Sequence, residues 1–507
     1  MAGRIQIITR GHASDILLDN PSFSFFTKKY NKHTNWANEN FKIDFDKKIY
    51  TDDYIDVTIP AKYGDILKGV TLSFNCDKSK LPGIIDGLVP LGPTLDSNNN
   101  YAEEKVVLMY VIEKFGISVI EYVELLLGDQ IIDKLTGDDI FVYNELNVPD
   151  SYAPSLDIMH GPSFTYDQGG VFPIRQAVDG QYVATLYNDG NIDTEFRIQL
   201  PFYFHNRPKN GFPLCAINKQ ELKIRIKLRS ARETIFISGE EPYLPIPAYG
   251  GNETEANLPL GNMWNAVAEK RIVRQFELEN FAVDLDLVHL NKTERCKIQS
   301  KPMNLLIEQH QQNTFSIEPQ SRFGEFNLDF KNPVKDMHFI AKNDEQWSDE
   351  QISLLDQMRG VDDSAHPSFQ SWQRSIYGKK PVPHMYTQQK LVTLKCDGIS
   401  ILNETTGSSI FTSVTIPNMY YKRSPSARNI SVYSFALQPG QLEPSGHLDF
   451  SLIKDAKLTM ELPTDGSHQD STNPNGVGPI YFRKRVIILA KSYNVIHIDD
   501  GIGKILF

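Results

Sequence analysis

The sequence predicts an all-β protein of antiparallel sheets joined by long loops, arranged as two tandem domains with few short helices. Three observations carry this. Aromatic residues reach 11% of the 507-residue chain, beside 32 Gly and 29 Pro, the mixture of strand formers and turn formers that β architectures require. Short segments alternate between apolar and polar side chains at period two. A similar order of segments also recurs in the two halves of the chain.

Several elements are legible in chain order. The segment IEYVELLLGDQIIDKL (120–135) reads as a hairpin turning at Gly128–Asp129, where glycine supplies a positive φ without steric cost. ELKIRIKLR (221–229) places Leu222, Ile224, Ile226 and Leu228 on one face and Lys223, Arg225, Lys227 and Arg229 on the other, the pattern of a half-buried strand. FAVDLDLVHL (281–290) is a long β run, and NLLIEQHQ (304–311) and DMHFIAK (336–342) are shorter ones. The best helix candidate is 349–359, with a capping box at Ser348 and Gln351, a stop at Gly360, and Ile352, Leu355 and Met358 on one side. AKLTMEL (456–462) alternates again, and VIILAKSYNVIHI (486–498) closes the chain's last long β run.

The length accommodates either two large β domains or three ordinary ones. The halves favour two. LPFYFHNRPKNGFPL (200–214) precedes ELKIRIKLR, and VYSFALQPGQLEPSG (432–446) precedes AKLTMEL, so each half reads as aromatic strand, Pro/Gly turn, alternating strand, insertion and closing strand. The expected division is an N-terminal arm over 1–30, a first domain over 31–295 with an insertion at about 239–270, and a second domain over 296–507 with an insertion at about 345–425. The boundary falls near Asn291–Ser300.

Composition excludes several functions. The formal charge is −11 and the pI is near 5.6, against direct coating of nucleic acid, which needs a cationic surplus. The longest apolar run, VVLMYVI (106–112), is far shorter than the roughly 20 residues of a transmembrane helix. The first residues show no continuous apolar segment of a secretory signal. Cys76, Cys215, Cys296 and Cys396 are far apart with no CxxC pair and read as reduced, mostly buried thiols rather than a zinc site or a disulfide framework. The basic runs KKYNK (28–32) and KKIY (47–50) read as solvated surface.

Motifs of catalysis fail one by one. There is no GxSxG, HExxH or GxxxxGK[ST], and GIGK (501–504) lacks the spacing of a phosphate loop and reads as a terminal turn. No two histidines stand one residue apart as a cupin-type metal strand requires, and His289 and His497 sit singly. Asp129, Asp133, Asp138 and Asp139 do not follow calcium-loop spacing and read as a solvated acidic turn. No catalytic, cofactor or metal residue is expected. Sequons stand at Asn252, Asn291, Asn403 and Asn429, with occupied glycan expected at few or none. Tyr243, Tyr249 and Trp264 are the residues that a carbohydrate-binding or attachment β-sandwich, the competing class, would use as sugar platforms.

The opening RGHASDILLDNPSFSFFTKKYNKHTNW (10–36) resembles that of the major capsid proteins of nucleocytoplasmic large DNA viruses, with Asp15, Leu18, Pro21, Phe25, Phe26, Tyr30, Thr34 and Asn35 at matching places. Further similar segments follow in family order. VELLLGDQIIDKLTGD carries Gly128, with Asp129 where the family has a second glycine. The 200–224 segment carries Pro213, and LNKTER and LLIEQHQ come next. LDFKNPVKDMHF carries Pro333, YSFALQPGQLEPSGHLDFSLIKDAKL carries Tyr433, Phe435, Pro444 and Gly446, and AKSYNVIHIDDGIGKILF carries Tyr493 and Asn494. His447 and Leu452 depart from the family pattern.

The resemblance implies two tandem eight-stranded antiparallel jelly rolls, a double jelly roll, in a structural major capsid protein that is not an enzyme. It further implies homotrimeric, pseudo-hexagonal capsomers tiling the outer icosahedral shell of a double-stranded DNA virion. Partners would be neighbouring capsomers, minor capsid and penton proteins, with the N-terminal arm near an internal membrane and no direct nucleic-acid contact. Synthesis and assembly would take place in the host cytoplasm.

Overall fold

The computed structural model describes residues 24, 26, 32–76, 106–111, 114–161, 173–176, 182–184, 194–230, 235–241, 275, 277–318, 321–343, 389–424, 429–462 and 484–507. The helix expected at 349–359 lies outside them, as do Tyr243, Tyr249, Trp264 and most of the N-terminal arm.

Eight strands build the first roll: β1 (Trp36–Asp44), β2 (Tyr54–Ile59), β3 (Ile66–Cys76), β4 (Ile120–Leu127), β5 (Gln130–Thr136), β6 (Thr194–Gln199), β7 (Leu222–Leu228) and β8 (Glu277–Leu290). They form two antiparallel sheets, β1-β8-β3-β6 and β2-β7-β4-β5. Eight more build the second: β9 (Met303–Ile317), β10 (Phe323–Asn327), β11 (Pro333–Asn343), β12 (Leu391–Cys396), β13 (Ile399–Leu402), β14 (Ser431–Ser434), β15 (Ala456–Glu461) and β16 (Lys484–Asp499). Their sheets run β9-β16-β11-β14 and β10-β15-β12-β13. Numbered from its own first strand, each roll has the order 1-8-3-6 over 2-7-4-5, so the repeat suspected from sequence is a repeat of topology. Each is a jelly roll, and the chain is a double one.

The local chemistry explains the elements. β7 alternates buried and half-buried residues along its whole length, as does β15. The β4–β5 hairpin turns at Gly128, whose φ is +60° and whose amide donates to the Glu221 carbonyl. Strands Val106–Val111, Pro173–Gln176, Tyr182–Ala184 and Ile235–Glu241, all from loops of the first roll, pair into a separate small sheet.

Five α-helices are described: α1 (Phe115–Ser118), α2 (Gly137–Asn147), α3 (Ala153–His160), α4 (Lys292–Gln299) and α5 (Ile416–Tyr420). Two correct the sequence reading. Thr136 and Asp139 form a reciprocal capping box that starts α2, and of the four acids Asp133, Asp138 and Asp139 are buried while Asp129 sits in an exposed turn. Asn291 caps α4 by accepting from the Glu294 amide.

Other expectations shift too. The aromatic segment 200–214 is a run of buried turns and 3-10 helix rather than a strand, with Phe202, Tyr203, Phe204 and Phe212 enclosed. In 432–446 only Ser431–Ser434 is strand. β12 and β13 fall inside the stretch expected as a second insertion, because their alternation is short and interrupted at Asp397–Gly398, where both residues take positive φ. Cys396 is buried, Cys215 is half-buried, and Cys296 is exposed on α4.

Candidate functional site: the seam between the two rolls

The outer face of β11 and of the middle of β16 lies against the first roll, and the apolar residues there, Ile340, Ile487 and Leu489, belong to the same buried cluster as the first roll's interior, while on β9 that face is exposed at Gln312, Thr314 and Ser316. Near the end of β16 the opposite face, with Ile496 and Ile498, joins the same cluster. The second roll's own interior, with Phe339, Leu458, Val486, Ile488 and Ala490, is a separate cluster. β16 is therefore buried on both faces over residues 486–494, which accounts for the apolar run at 486–490.

Ion pairs cross this seam. Asp133 on β5 accepts from the His310 backbone amide at 2.8 Å and lies 3.1 Å from its Nδ1. Gln309 Nε2 donates to the Ile132 carbonyl at 2.7 Å. From α2, Asp138 pairs with Lys342 at 3.1 Å and Glu145 with Arg423 at 3.2 Å. The polarity reverses where Arg207 meets Glu308 at 2.8 Å. Glu308 also pairs with Lys335, and Arg207 donates to the Gly440 carbonyl at 3.0 Å.

The electrostatics follow from burial and pairing. Burial opposes ionisation of Glu308, but Lys335 and Arg207 outweigh it and hold the carboxyl below its ordinary range. Burial likewise opposes charge on His310, and the Asp133 carboxylate outweighs it, so the imidazolium is favoured. Asp336 is held down against its own burial by Lys491, His338 and Lys335 and by the Tyr421 hydroxyl donating at 2.7 Å. At His338 burial, reinforced by Lys491, His310 and Lys335, outweighs the Asp336 carboxylate and pushes the ring down to about 3. Forming such pairs adds little net stability, but removing one member strands a buried charge at a cost of about 3–5 kcal/mol. The seam thus fixes how the two rolls sit on each other.

The chain end fastens the same seam. Residues Ile502–Ile505 pair with β16, Lys219 bonds Asp500 at 2.5 Å, and the Gly503 amide donates to Gln220 Oε1 at 2.8 Å. Gly501, in the GIGK segment, takes φ +78° and accepts from the Lys219 amide. Asn494 Nδ2 donates to both Gln309 Oε1 and the Phe507 carbonyl at 2.7 Å.

Several family-pattern residues lie in the second roll around Lys335. Lys335 Nζ lies 5.7 Å from the Tyr493 ring, its carbonyl accepts from the Phe435 amide, and Phe435 stacks edge-on against Tyr433 at 5.1 Å. Pro333 opens β11, where a missing amide is tolerated. Gly446 has φ +141°, and a Cβ there would stand 2.5 Å from the Phe435 carbonyl oxygen. Gly446→Ala should therefore cost more than about 1 kcal/mol, read as a lowered urea midpoint; an unchanged midpoint would refute the steric account. Pro213 leads the turn Leu214–Ala216, while Pro444, Thr34, Asn35 and Phe26 are exposed. Asp15, Pro21, Phe25 and Tyr30 lie outside the described residues, as does Asn252. Of the other sequons, Asn291 is a helix cap, Asn403 accepts from the Thr405 and Thr406 amides, and Asn429 takes φ +56°.

Sequence reasoning missed Glu308, His310, Lys335, Asp336, His338, Lys342 and Arg207. The available signal was DMHFIAK itself, whose Asp336, His338 and Lys342 share one face with Ile340, a pattern that also describes a solvated face.

Comparison with known proteins gives a consistent result. A family described as major capsid protein N-terminus matches residues 24–256, and one described as large eukaryotic DNA virus major capsid protein matches residues 294–504. The major capsid protein of Pyramimonas orientalis virus is 22% identical over 509 residues, covering 100% of this chain and 99% of that one. That of Paramecium bursaria Chlorella virus 1 is 22% identical over 525 residues, covering 100% of both. Among solved structures, the Faustovirus major capsid protein aligns with a TM-score of 0.59 at 13% identity, covering 97% of this chain and 94% of that one. A quasi-atomic model of the PBCV-1 virus capsid aligns at 0.57 with 18% identity, covering 96% and 100%.

Proposed function

The chain belongs to the major capsid protein family of large eukaryotic DNA viruses, and from that premise we propose that it works by assembly, as a homotrimeric capsomer of pseudo-hexagonal outline. The observation that supports this most is the identical strand order of two rolls locked side by side by a buried seam. Three such chains present six similar lobes, which suit a hexagonally tiled shell. On this reading the protein is not an enzyme. Its partners are copies of itself, neighbouring capsomers and minor capsid and penton proteins in the outer shell of the virion. Residues 1–30 contact the minor proteins or an internal membrane, and assembly takes place in the host cytoplasm. The motif residues Phe435, Tyr493 and Asn494 back the seam pairs through Lys335 and Gln309.

Light scattering after size exclusion tests the trimer. The purified protein should elute at three times its 57.6 kDa chain mass and stay there in moderate salt. A single-chain mass across the accessible concentration range would contradict the reading.

A further inference from the structure

The GIGK segment (501–504) has no role as a phosphate loop, but it has one as a strand. Asp500 and Gly501 both take positive φ, +46° and +78°, as in the two-residue turns that close antiparallel hairpins. The turn lays Ile502–Ile505 along β16, with Gly503 opposite Ile498 and Ile505 opposite Ile496. The Leu506 amide donates to the Val495 carbonyl at 3.0 Å. In an alternating ladder the amides of Gly503 and Ile505 therefore point the other way, off the edge of the sheet.

A bare strand edge is a template for another extended chain. Here the first roll fills the edge with single groups instead of a strand. Gln220 Oε1 accepts from the Gly503 amide at 2.8 Å, and Gln130 Oε1 accepts from the Ile505 amide at 3.2 Å. The Lys219 amide donates to the Gly501 carbonyl at 3.1 Å. From β16 itself, Asn494 brackets Phe507, donating to its carbonyl at 2.7 Å and accepting from its amide at 3.3 Å.

The seat is shaped for glycine. At residue 503 a Cβ would stand 2.5 Å from Leu127 Cδ2, with Ile496 Cγ2 at 3.5 Å and Ile217 Cδ1 at 3.6 Å, and all three of those side chains are buried. The hold, by contrast, is polar and shallow. Ile502, Lys504, Leu506 and Phe507 are exposed and Ile505 is half-buried, while Lys219 and Asp500 pair as two exposed side chains. A segment held by hydrogen bonds with little apolar burial opens at a lower free energy than the sheet beneath it. Its opening bares the 496–499 edge of β16, and the β9 ladder on the other side of β16 stays whole.

We propose that this edge is a strand-exchange site, in which Gln130, Gln220, Asn494 and residues 496–499 receive an extended segment with glycine at the crowded position. The chain's own residues 500–507 fill it, and the same segment of a second copy can replace them by strand addition. The second copy is the partner that the seat selects, because the crowding at residue 503 rejects side chains and this segment already fits. The proposal goes beyond the capsomer reading and holds whether or not the copies form a ring.

The test uses the full chain and a fluorescent peptide of residues 500–507. Gly503→Leu should unseat the chain's own segment and leave every receiving residue in place. This variant should bind the peptide saturably, read by anisotropy. Unmodified protein should bind it at least about tenfold more weakly, because its own segment competes at the high effective concentration of a short linkage. The same peptide carrying Gly503→Leu should not bind, and adding Gln130→Ala and Gln220→Ala to the protein variant should abolish binding. A variant with the parent's far-ultraviolet spectrum that binds neither peptide, or binds both equally, overturns the proposal. Hydrogen exchange on unmodified protein tests it without any substitution. The amides of Gly503 and Ile505 should exchange far faster than those at 486–490, and equal rates would overturn the proposal.

Discussion

Replacing Glu308 with alanine should destabilise the protomer by about 3–5 kcal/mol, the cost of leaving buried cations without their counter-charge. Glu308 is buried at the seam, where Lys335 and Arg207 converge on its carboxylate. Arg207 keeps the Tyr203 and Gly440 carbonyls as acceptors, so the stranded charge is chiefly that of Lys335. Glu308→Met combined with Lys335→Met should accordingly recover most of the loss, since apolar replacement of a complete buried pair is often neutral. Urea unfolding of the three proteins measures this. A single variant within 0.5 kcal/mol of the parent, as for surface substitutions of roughly ±0.5 kcal/mol, would show that the seam is wet rather than buried.

Acid should unfold the protein well above the carboxylate range. Burial holds His338 and His160 down to about 3 and His205 down to about 4, from an ordinary 6.5. Below pH 6.5 the unfolded chain takes up protons at these sites and the folded chain does not, so stability falls as pH falls. Each histidine contributes at most about 1.4 kcal/mol per pH unit, which for three of them is roughly 6 kcal/mol between pH 6.5 and 5. His310 has the opposite sign: its raised value gives stability that is complete below 6.5 and is lost as pH rises through the folded value. Glu308 and Asp336, both held low, add stability above the ordinary carboxylate range that is lost as pH falls through their folded values. The melting temperature should be lower at pH 5 than at pH 7 by what the three histidines lose less what His310 gains, and His338→Gln should reduce that difference by one histidine's share. His338 faces Asp336, Lys491, His310, Lys335 and Tyr421, all of which the variant retains. Equal melting temperatures at the two pH values would contradict the buried, neutral histidines.

Much of the fold was legible because its strands are local patterns. β7 and β15 each have one apolar face, and period two exposes that directly. The Gly128 hairpin was legible because positive φ favours glycine. The repeat was visible as an order of segments, and pairing confirmed it as one topology. What stayed hidden depends on partners distant in sequence. Asp133, Asp138 and Asp139 look like solvated acids until His310 and Lys342, about 180 to 200 residues later, are brought against them. α2 was hidden for a related reason: it is enclosed on several sides, so it lacks the single apolar stripe by which a surface helix is recognised. The family pattern reached Tyr493 and Phe435, which touch Lys335, but not Lys335 or Glu308 themselves.

The most direct test of the account is electron microscopy of purified capsomers, averaged without imposed symmetry. Six lobes of similar size in a closed ring, alternating between two slightly different shapes, are the expected result. Three separated two-lobed bodies, or an open chain of lobes, would contradict it.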